Sequence, residues 1–186
     1  AEQIKGEKVN ISSGSLSYPA YLAAPGKDGI WPGVVMIHSF NGLEPGYLSL
    51  ADRLAEEGYV VVAPEWQSFN RTPPDDTVGQ LIQDCSALLC GREDVQADKI
   101  GLTGFCAGGR YTMLFLPLMN RTFSAGVAWY GFPYSGGFLN ESRPVQFIDQ
   151  LDDPMLIIHG TYDVPSKISD IYRYAEELNA SGRYFE

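Results

Sequence analysis

The segment Gly101-Leu-Thr-Gly-Phe-Cys-Ala-Gly-Gly109 is the most informative part of the sequence, because it places a cysteine inside the pattern G-x-C-x-G. A strand is predicted before Cys106 and a helix after it. In the usual form of this pattern, G-x-S-x-G, the central residue is a nucleophile on a sharp turn between a strand and a helix. Gly104 and Gly108 allow the strained dihedral angles and the close backbone approach that this turn needs. We therefore predict that Cys106 is a nucleophile.

The helix predicted after Cys106 should influence the charge of its thiol. Its N-terminus presents partial positive charge to the sulfur, which favours the thiolate. The Ala107 amide is predicted to form one arm of an oxyanion hole, and the Phe40 amide, after the first buried strand, the other. The alternative is that Cys106 is a small buried residue in a glycine-rich turn. Cys85 and Cys90 lie among apolar helical positions, so packing is their expected role.

Elsewhere the chain alternates between short apolar runs and helical patterns. Strands are predicted where apolar and β-branched residues run together, at 33–38, 59–63, 99–103, 124–130 and 155–159. Helices are predicted between them, at 47–57, 76–89, 107–118 and 165–178. This order predicts an α/β protein with a doubly wound, mostly parallel sheet in one domain over residues 1–186. Period-two segments at 8–12 and 15–23 predict an antiparallel hairpin at one edge.

The segment His159-Gly-Thr-Tyr-Asp163 follows the last buried strand, where catalytic groups of such a sheet are found. Asp163 comes after the nucleophile in the chain and is the predicted acid that orients an imidazole. Its alternative role is to cap the helix near Pro165. No histidine follows Asp163 in this sequence, and neither His38 nor His159 has an obvious orienting carboxylate. His38 fits a structural role or a substrate contact better than the role of base.

The last four residues, Arg183-Tyr-Phe-Glu186, indicate the start of a strand after a turn at Ser181-Gly182. Strands average about five to six residues, so the natural chain is expected to continue past Glu186. The alternative is a natural end on a short edge strand.

The charge balance limits the classes of partner. Lys and Arg number 13 against 23 Asp and Glu, which gives a net charge of −10 at pH 7. Such a surface repels phosphate backbones and anionic lipid headgroups, so neither nucleic acid nor a membrane is expected as a partner. Two histidines and three cysteines do not suggest a metal cluster, and no phosphate-binding glycine fingerprint indicates a cofactor. A small molecule is the expected partner.

Five N-x-S/T sequons occur, at Asn10, Asn70, Asn120, Asn140 and Asn179. The motif is short enough to arise by chance. The first residues show no apolar leader pattern, and a cytoplasmic location is the default expectation.

Several segments together resemble the dienelactone hydrolases. The matching segments are Gly33-Val-Val-Met-Ile-His-Ser-Phe-Asn-Gly42, Leu50-Ala-Asp-Arg-Leu-Ala-Glu-Glu-Gly-Tyr59, Val62-Ala-Pro64, the stretch 101–109 and His159-Gly-Thr-Tyr-Asp163. The resemblance runs from about Ser15 to Glu186. It implies an α/β-hydrolase fold with a Cys-His-Asp triad, in which Cys106 is the nucleophile and Asp163 the acid. The triad histidine would follow the strand that begins at Arg183.

The resemblance also implies a reaction, the hydrolysis of carboxylic esters or lactones through a cysteine acyl-enzyme without a cofactor. The predicted substrate contacts are His38, Ser39, Trp66 and Tyr130. Ser39 stands where the family's bacterial lactonases carry a glutamate, and Arg71 and Arg143 are the candidates to bind a substrate carboxylate. A monomer or small homo-oligomer is expected. The alternatives are a non-catalytic small-molecule-binding protein on the same fold and a redox-sensing thiol at Cys106.

Overall fold

The computed structural model describes residues 4–186. Seven strands form one sheet, and they are β1 (Glu7–Ser13), β2 (Leu16–Ala23), β3 (Trp31–Ile37), β4 (Val60–Pro64), β5 (Val95–Phe105), β6 (Ala125–Trp129) and β7 (Met155–Ile158). Their order in the sheet is β1-β2-β4-β3-β5-β6-β7. Strands β3 to β7 are mutually parallel, whereas β1 and β2 run antiparallel to their neighbours. The predicted doubly wound sheet with an edge hairpin is confirmed.

Four α-helices connect and cover the strands: α1 (Pro45–Glu56), α2 (Asp75–Cys90), α3 (Ala107–Leu118) and α4 (Ile168–Ala180). The helices pack on both faces of the sheet, because successive side chains of each buried strand point to opposite faces. On β3, Val35 and Ile37 join the apolar cluster that α2, α3 and α4 cover, whereas Met36 joins the cluster under α1. This alternation gives both faces of the sheet an apolar layer.

The end of the described chain pairs with β7. Phe185 forms a parallel bridge with Met155, and Glu186 donates its N–H to the Met155 carbonyl at 3.0 Å. The Ile157 N–H donates to the Glu186 carbonyl at 2.8 Å. The predicted start of a strand at residues 183–186 is therefore confirmed, and it runs parallel to β7.

Three local differences from the sequence expectation have physical causes. A short 3-10 helix over Pro144–Gln150 was not predicted, because seven residues around a kink give no helical period. Helix α4 begins at Ile168 instead of residue 165, because a turn at Asp163 to Ser166 occupies the segment before it. Cys90 is exposed at the last position of α2, so the packing expectation is wrong for it, whereas Cys85 is buried as expected. Within residues 4–186, the helices lack the length and apolar character that crossing a membrane demands.

A buried ion pair connects the loop after β6 to helices α2 and α3. Both guanidinium Nη atoms of Arg110 donate to the two carboxylate oxygens of Asp75, at 2.8 and 2.7 Å. The same guanidinium donates to the carbonyls of Ser135 and Ser142, at 3.0 and 2.6 Å. The Glu141 carboxylate accepts the Asp75 N–H at 2.8 Å. Residues 135–142 are thus held by polar contacts to the first turns of α2 and α3.

We predict that Asp75→Asn lowers the free energy of unfolding by about 3 to 5 kcal/mol, because it leaves the buried Arg110 charge without its counter-ion. Asp94→Asn is the matched control, since its ion pair with Arg92 is about one-third exposed. That change should cost less than about 1 kcal/mol. Urea unfolding monitored by circular dichroism measures both. Equal losses in the two variants would contradict the special role of the buried pair.

Candidate functional site

Cys106 lies at the junction of β5 and α3 in a strained backbone conformation. Its φ is 58° and its ψ is −111°, in a region that residues other than glycine rarely adopt. The Cys106 N–H donates to the Trp129 carbonyl at 3.0 Å, which fixes the turn against the end of β6. The side chain is partly exposed. The sharp turn predicted from the sequence is therefore present, and it presents the thiol at the carboxyl edge of the sheet.

Three glycines allow α3 to press against the sheet at this turn. A Cβ atom on Gly104 would collide with the Gly108 carbonyl, and one on Gly108 with the Ile37 carbonyl. A Cβ on Gly109 would collide with the Trp129 carbonyl. Because each obstacle is backbone, no side-chain rotation could relieve the collision. The predicted need for small residues holds at Gly104 and Gly108, and Gly109 adds a third position that the motif did not specify.

Cys106, Ala107 and Phe40 line one cavity of about 230 Å³. The first N–H groups of a helix have no partner inside the helix, and Ala107 is the first residue of α3. Within residues 4–186, neither the Ala107 nor the Phe40 N–H donates a hydrogen bond. The structure thus brings the predicted nucleophile and both predicted oxyanion residues to one cavity. The rest of its wall is Arg110, Tyr111, Phe132, Ser135, Gly137 and Phe138.

His38 and Trp66 lie behind this cavity and do not line it. Their side chains are each only 1% exposed, and their rings stack with centroids 5.2 Å apart. The Trp66 indole N–H donates to the His38 carbonyl at 3.1 Å, and the His38 Nδ1–H donates to the Ser39 carbonyl at 2.6 Å. Both contacts fix the backbone that leads to Phe40. Although the sequence predicts that both residues contact substrate, their position is that of supports for the loop after β3.

Burial determines the charge state of His38. It lowers the pKa of the imidazole from 6.5 to about 4, and the hydrogen bond to Ser39 opposes this shift only in part. The ring is therefore neutral near pH 7, because burial disfavours its charged form.

Asp163 is fixed by a turn after β7. Its Oδ1 accepts the Ser166 N–H at 2.8 Å, while within the described chain its Oδ2 accepts no hydrogen bond. Ser166 is buried, and its hydroxyl donates to the Gly131 carbonyl at 2.6 Å. The Ser166 carbonyl lies 2.7 Å from His159 Nε2. Sequence reasoning missed Ser166, because no periodic pattern or motif marks a serine whose partners lie in other loops.

Tyr130, a predicted substrate contact, directly follows β6 and does not line the cavity beside Cys106. Its φ is 39°, the second strained residue of the site, and its N–H donates to the Ile158 carbonyl at 2.8 Å. Burial raises the pKa of its hydroxyl to about 12, with further contributions from Tyr47, its hydrogen-bond partner, and from Cys106 and Asp163. The hydroxyl is therefore neutral near pH 7.

The remaining predicted residues, Ser39, Arg71 and Arg143, do not line the cavity. Ser39 is partly exposed, and its carbonyl accepts the Gly42 N–H at 3.2 Å in addition to the His38 imidazole. The Arg71 guanidinium lies over the Phe40 ring, 4.4 Å from its centroid. Arg143 directly precedes the 3-10 helix, and its N–H donates to the Gln146 side chain at 2.8 Å. Of these residues, Arg71 is in direct contact with a side chain of the cavity wall.

A second cavity lies away from Cys106. A cavity of about 340 Å³ on the opposite face is lined almost entirely by apolar side chains of β3, β5, β6 and α1. It does not include Cys106. Residues 4–186 contain no group of three or more His, Cys, Asp or Glu side chains arranged to hold a metal ion.

Comparison with known proteins identifies a family that matches most of the chain. The model of the dienelactone hydrolase family matches residues 18–186. A protein of Methylorubrum extorquens, provisionally named a carboxymethylenebutenolidase, is 29% identical over 199 residues, which cover 97% of this chain and 67% of that protein. A protein of Escherichia coli with the same provisional name is 30% identical over 188 residues, which cover 90% of this chain and 69% of that protein.

A solved structure is similar as well. The crystal structure of a provisionally named dienelactone hydrolase from Klebsiella pneumoniae has a TM-score of 0.89 to this chain. The two sequences are 28% identical, and the alignment covers 98% of this chain and 83% of the other.

We predict that His38 makes stability depend on pH between its two pKa values. The unfolded imidazole takes up a proton near pH 6.5 and the folded one near pH 4, so this contribution is complete above pH 6.5 and is lost as the pH falls towards 4. Its full size is about 3 kcal/mol. Urea unfolding at pH 7.5 and 4.5 should show a loss about 2 kcal/mol larger in the unsubstituted protein than in His38→Gln. The same pH-dependent loss in both proteins would show that His38 is not its source.

Proposed function

Because this chain belongs to the dienelactone hydrolase family, and is therefore a hydrolase, we propose that it cleaves carboxylic esters or lactones through an acyl-enzyme on Cys106. The observation that carries the proposal is the arrangement at the sharp turn. A strained, partly exposed thiol faces the same cavity as the Phe40 and Ala107 residues, whose N–H groups donate no hydrogen bond within residues 4–186. Strained residues of this kind concentrate at active sites.

In the acylation step, the Cys106 thiolate attacks the carbonyl carbon of the substrate and forms a C–S bond. The carbonyl oxygen becomes an oxyanion, which accepts hydrogen bonds from the Phe40 and Ala107 amides. When the oxyanion collapses, the C–O bond to the alcohol breaks, and the leaving oxygen takes a proton from the protonated histidine that the family resemblance implies. A lactone opens in the same step and stays attached through its acyl carbon.

In the deacylation step, a water molecule attacks the thioester while a base accepts its proton, and Cys106 leaves as thiolate. We propose that this base is a histidine that follows Glu186, as the family resemblance implies. His159 is hydrogen-bonded to the Ser166 carbonyl, and His38 is buried behind the cavity wall. Residues 183–186 run parallel to β7 towards the edge that holds Asp163, whose Oδ2 accepts no hydrogen bond within the described chain. This direction supports the assignment.

The cavity favours a small substrate with an apolar acyl part. Its volume of about 230 Å³ is below the usual range for drug-sized ligands, roughly 300 to 1,000 Å³. Aromatic side chains form much of the wall, namely Phe40, Tyr111, Phe132 and Phe138. Phe138 is 40% exposed, so the cavity opens beside it.

We predict that Cys106→Ala lowers the hydrolysis of p-nitrophenyl acetate by at least about a thousandfold, because the nucleophile is lost. Cys90→Ala, which removes an exposed cysteine at the end of α2, is the control and should keep full activity. Retained turnover in Cys106→Ala would reject the acyl-enzyme. An unsubstituted protein that becomes acylated but never releases the acid would favour a non-catalytic binding protein on the same fold.

Ser166→Ala should lower kcat by about tenfold and leave KM nearly unchanged, because the turn that carries Asp163 loses its anchor to Gly131. Ser166 touches no reacting atom in this proposal and acts by positioning Asp163. The control is Ser169→Ala, an exposed serine at the start of α4, which should leave both constants unchanged. Steady-state kinetics on the two variants separate the effects. A rise in KM without a fall in kcat would contradict this positioning role.

A further inference from the structure

The asparagines of this chain are unusually concentrated in one motif. The sequence contains six asparagines, and five of them begin an N-x-S/T sequon. The five are Asn10, Asn70, Asn120, Asn140 and Asn179. The sixth is Asn41, which is followed by Gly-Leu.

Composition does not explain this concentration. Ser and Thr together make up 20 of the 186 residues. At that frequency, about 0.6 of the six asparagines would carry a hydroxyl residue two positions later. Five or more out of six would occur in about one chain in ten thousand. A single sequon carries little information, but the large share of asparagines that begin a sequon is informative.

All five asparagines are exposed to solvent. They are spread over the surface rather than gathered in one loop. Asn10 lies on the edge strand β1, Asn179 near the end of α4, and the others in the segments after β4, α3 and β6. Each position could therefore carry a bulky substituent without displacing the core.

The hydroxyl residues of the sequons have no role in holding the fold. Within residues 4–186, their hydroxyl groups form no hydrogen bond, and the five residues are Ser12, Thr72, Thr122, Ser142 and Ser181. Other hydroxyls of the chain do bond to the main chain, as Thr103 does to Val127, Thr112 to Gly108 and Ser166 to Gly131. The fold thus gives no reason for a hydroxyl at these five positions.

We propose that these five asparagines are sites of N-linked glycosylation. The co-reactant is a lipid-linked oligosaccharide, presented by an oligosaccharyltransferase. The Asn Nδ2 attacks the anomeric carbon, an N–C bond forms, and the bond from that carbon to the lipid phosphate oxygen breaks. The amide nitrogen gives up one proton to a base of the transferase, and the lipid phosphate leaves with the bonding electrons. Because such transferases act outside the cytoplasm, the proposal replaces the default cytoplasmic expectation.

Asn70 offers the cleanest test, because its turn does not need the sequon hydroxyl. The Asn70 Oδ1 accepts the Thr72 backbone N–H at 3.0 Å, and Thr72→Ala keeps that contact. The substitution therefore removes the motif and leaves both the acceptor amide and the turn in place. Thr72→Ser, which keeps the motif, is the matched control.

The first experiment is peptide mass spectrometry on the protein isolated from its own organism. Peptides that contain the five sequon asparagines should carry saccharide mass, whereas the peptide with Asn41 should not. In the same host, Thr72→Ala should lose the saccharide at Asn70 completely, while Thr72→Ser keeps it and the other sites are unchanged. Unmodified peptides at all five sites would overturn the proposal. Saccharide that persists at Asn70 in Thr72→Ala would also overturn it, since that modification would not follow the sequon.

Discussion

The backbone of α3 packs directly against the backbone of the sheet, and this contact positions the residues around Cys106. Gly108 lies against the Ile37 carbonyl and Gly109 against the Trp129 carbonyl, and a Cβ atom at either position would prevent the approach. Since Ile37 ends β3 and Trp129 ends β6, α3 begins between the carboxyl ends of these two strands. The loops that follow them, which carry Phe40 and Tyr130, are thereby brought next to Cys106. Strain at Cys106 is the local cost of this approach, and burial of α3 offsets it.

Buried polar side chains hold the loops around that turn. Arg110 donates to two carbonyls of the loop after β6, and Ser166 joins the turn after β7 to Gly131. The Trp66 indole and the His38 imidazole fix the loop after β3 in the same way. Each donor forms a hydrogen bond with a loop carbonyl that lies outside the helices and strands and so has no partner within them. Apolar packing forms the layers of this protein, whereas hydrogen bonds to carbonyls position its site.

This division explains what could be predicted from the sequence. The continuous apolar runs of β3 and β4 and the bounds of α3 follow from local patterns, as does the turn at Cys106. The loop anchors do not, because a serine or an arginine gives no period, and its partners lie far away in the chain. Arg110 and Asp75, for example, are 35 positions apart. The sequence predicts that His38 and Trp66 contact the substrate for a related reason. Their positions in the chain place them near the site, but do not show on which side of the cavity wall they lie.

The charges around Cys106 suggest how a thiol could serve without the glutamate that family lactonases carry. Ser39 puts a neutral side chain at that position, and the nearby Tyr130 hydroxyl is neutral because burial raises its pKa to about 12. A carboxylate beside a thiol disfavours the thiolate, so replacing one with a hydroxyl removes a repulsion. In the proposed mechanism the positive end of α3, which begins directly after Cys106, then acts on the sulfur without a carboxylate at residue 39 to oppose it.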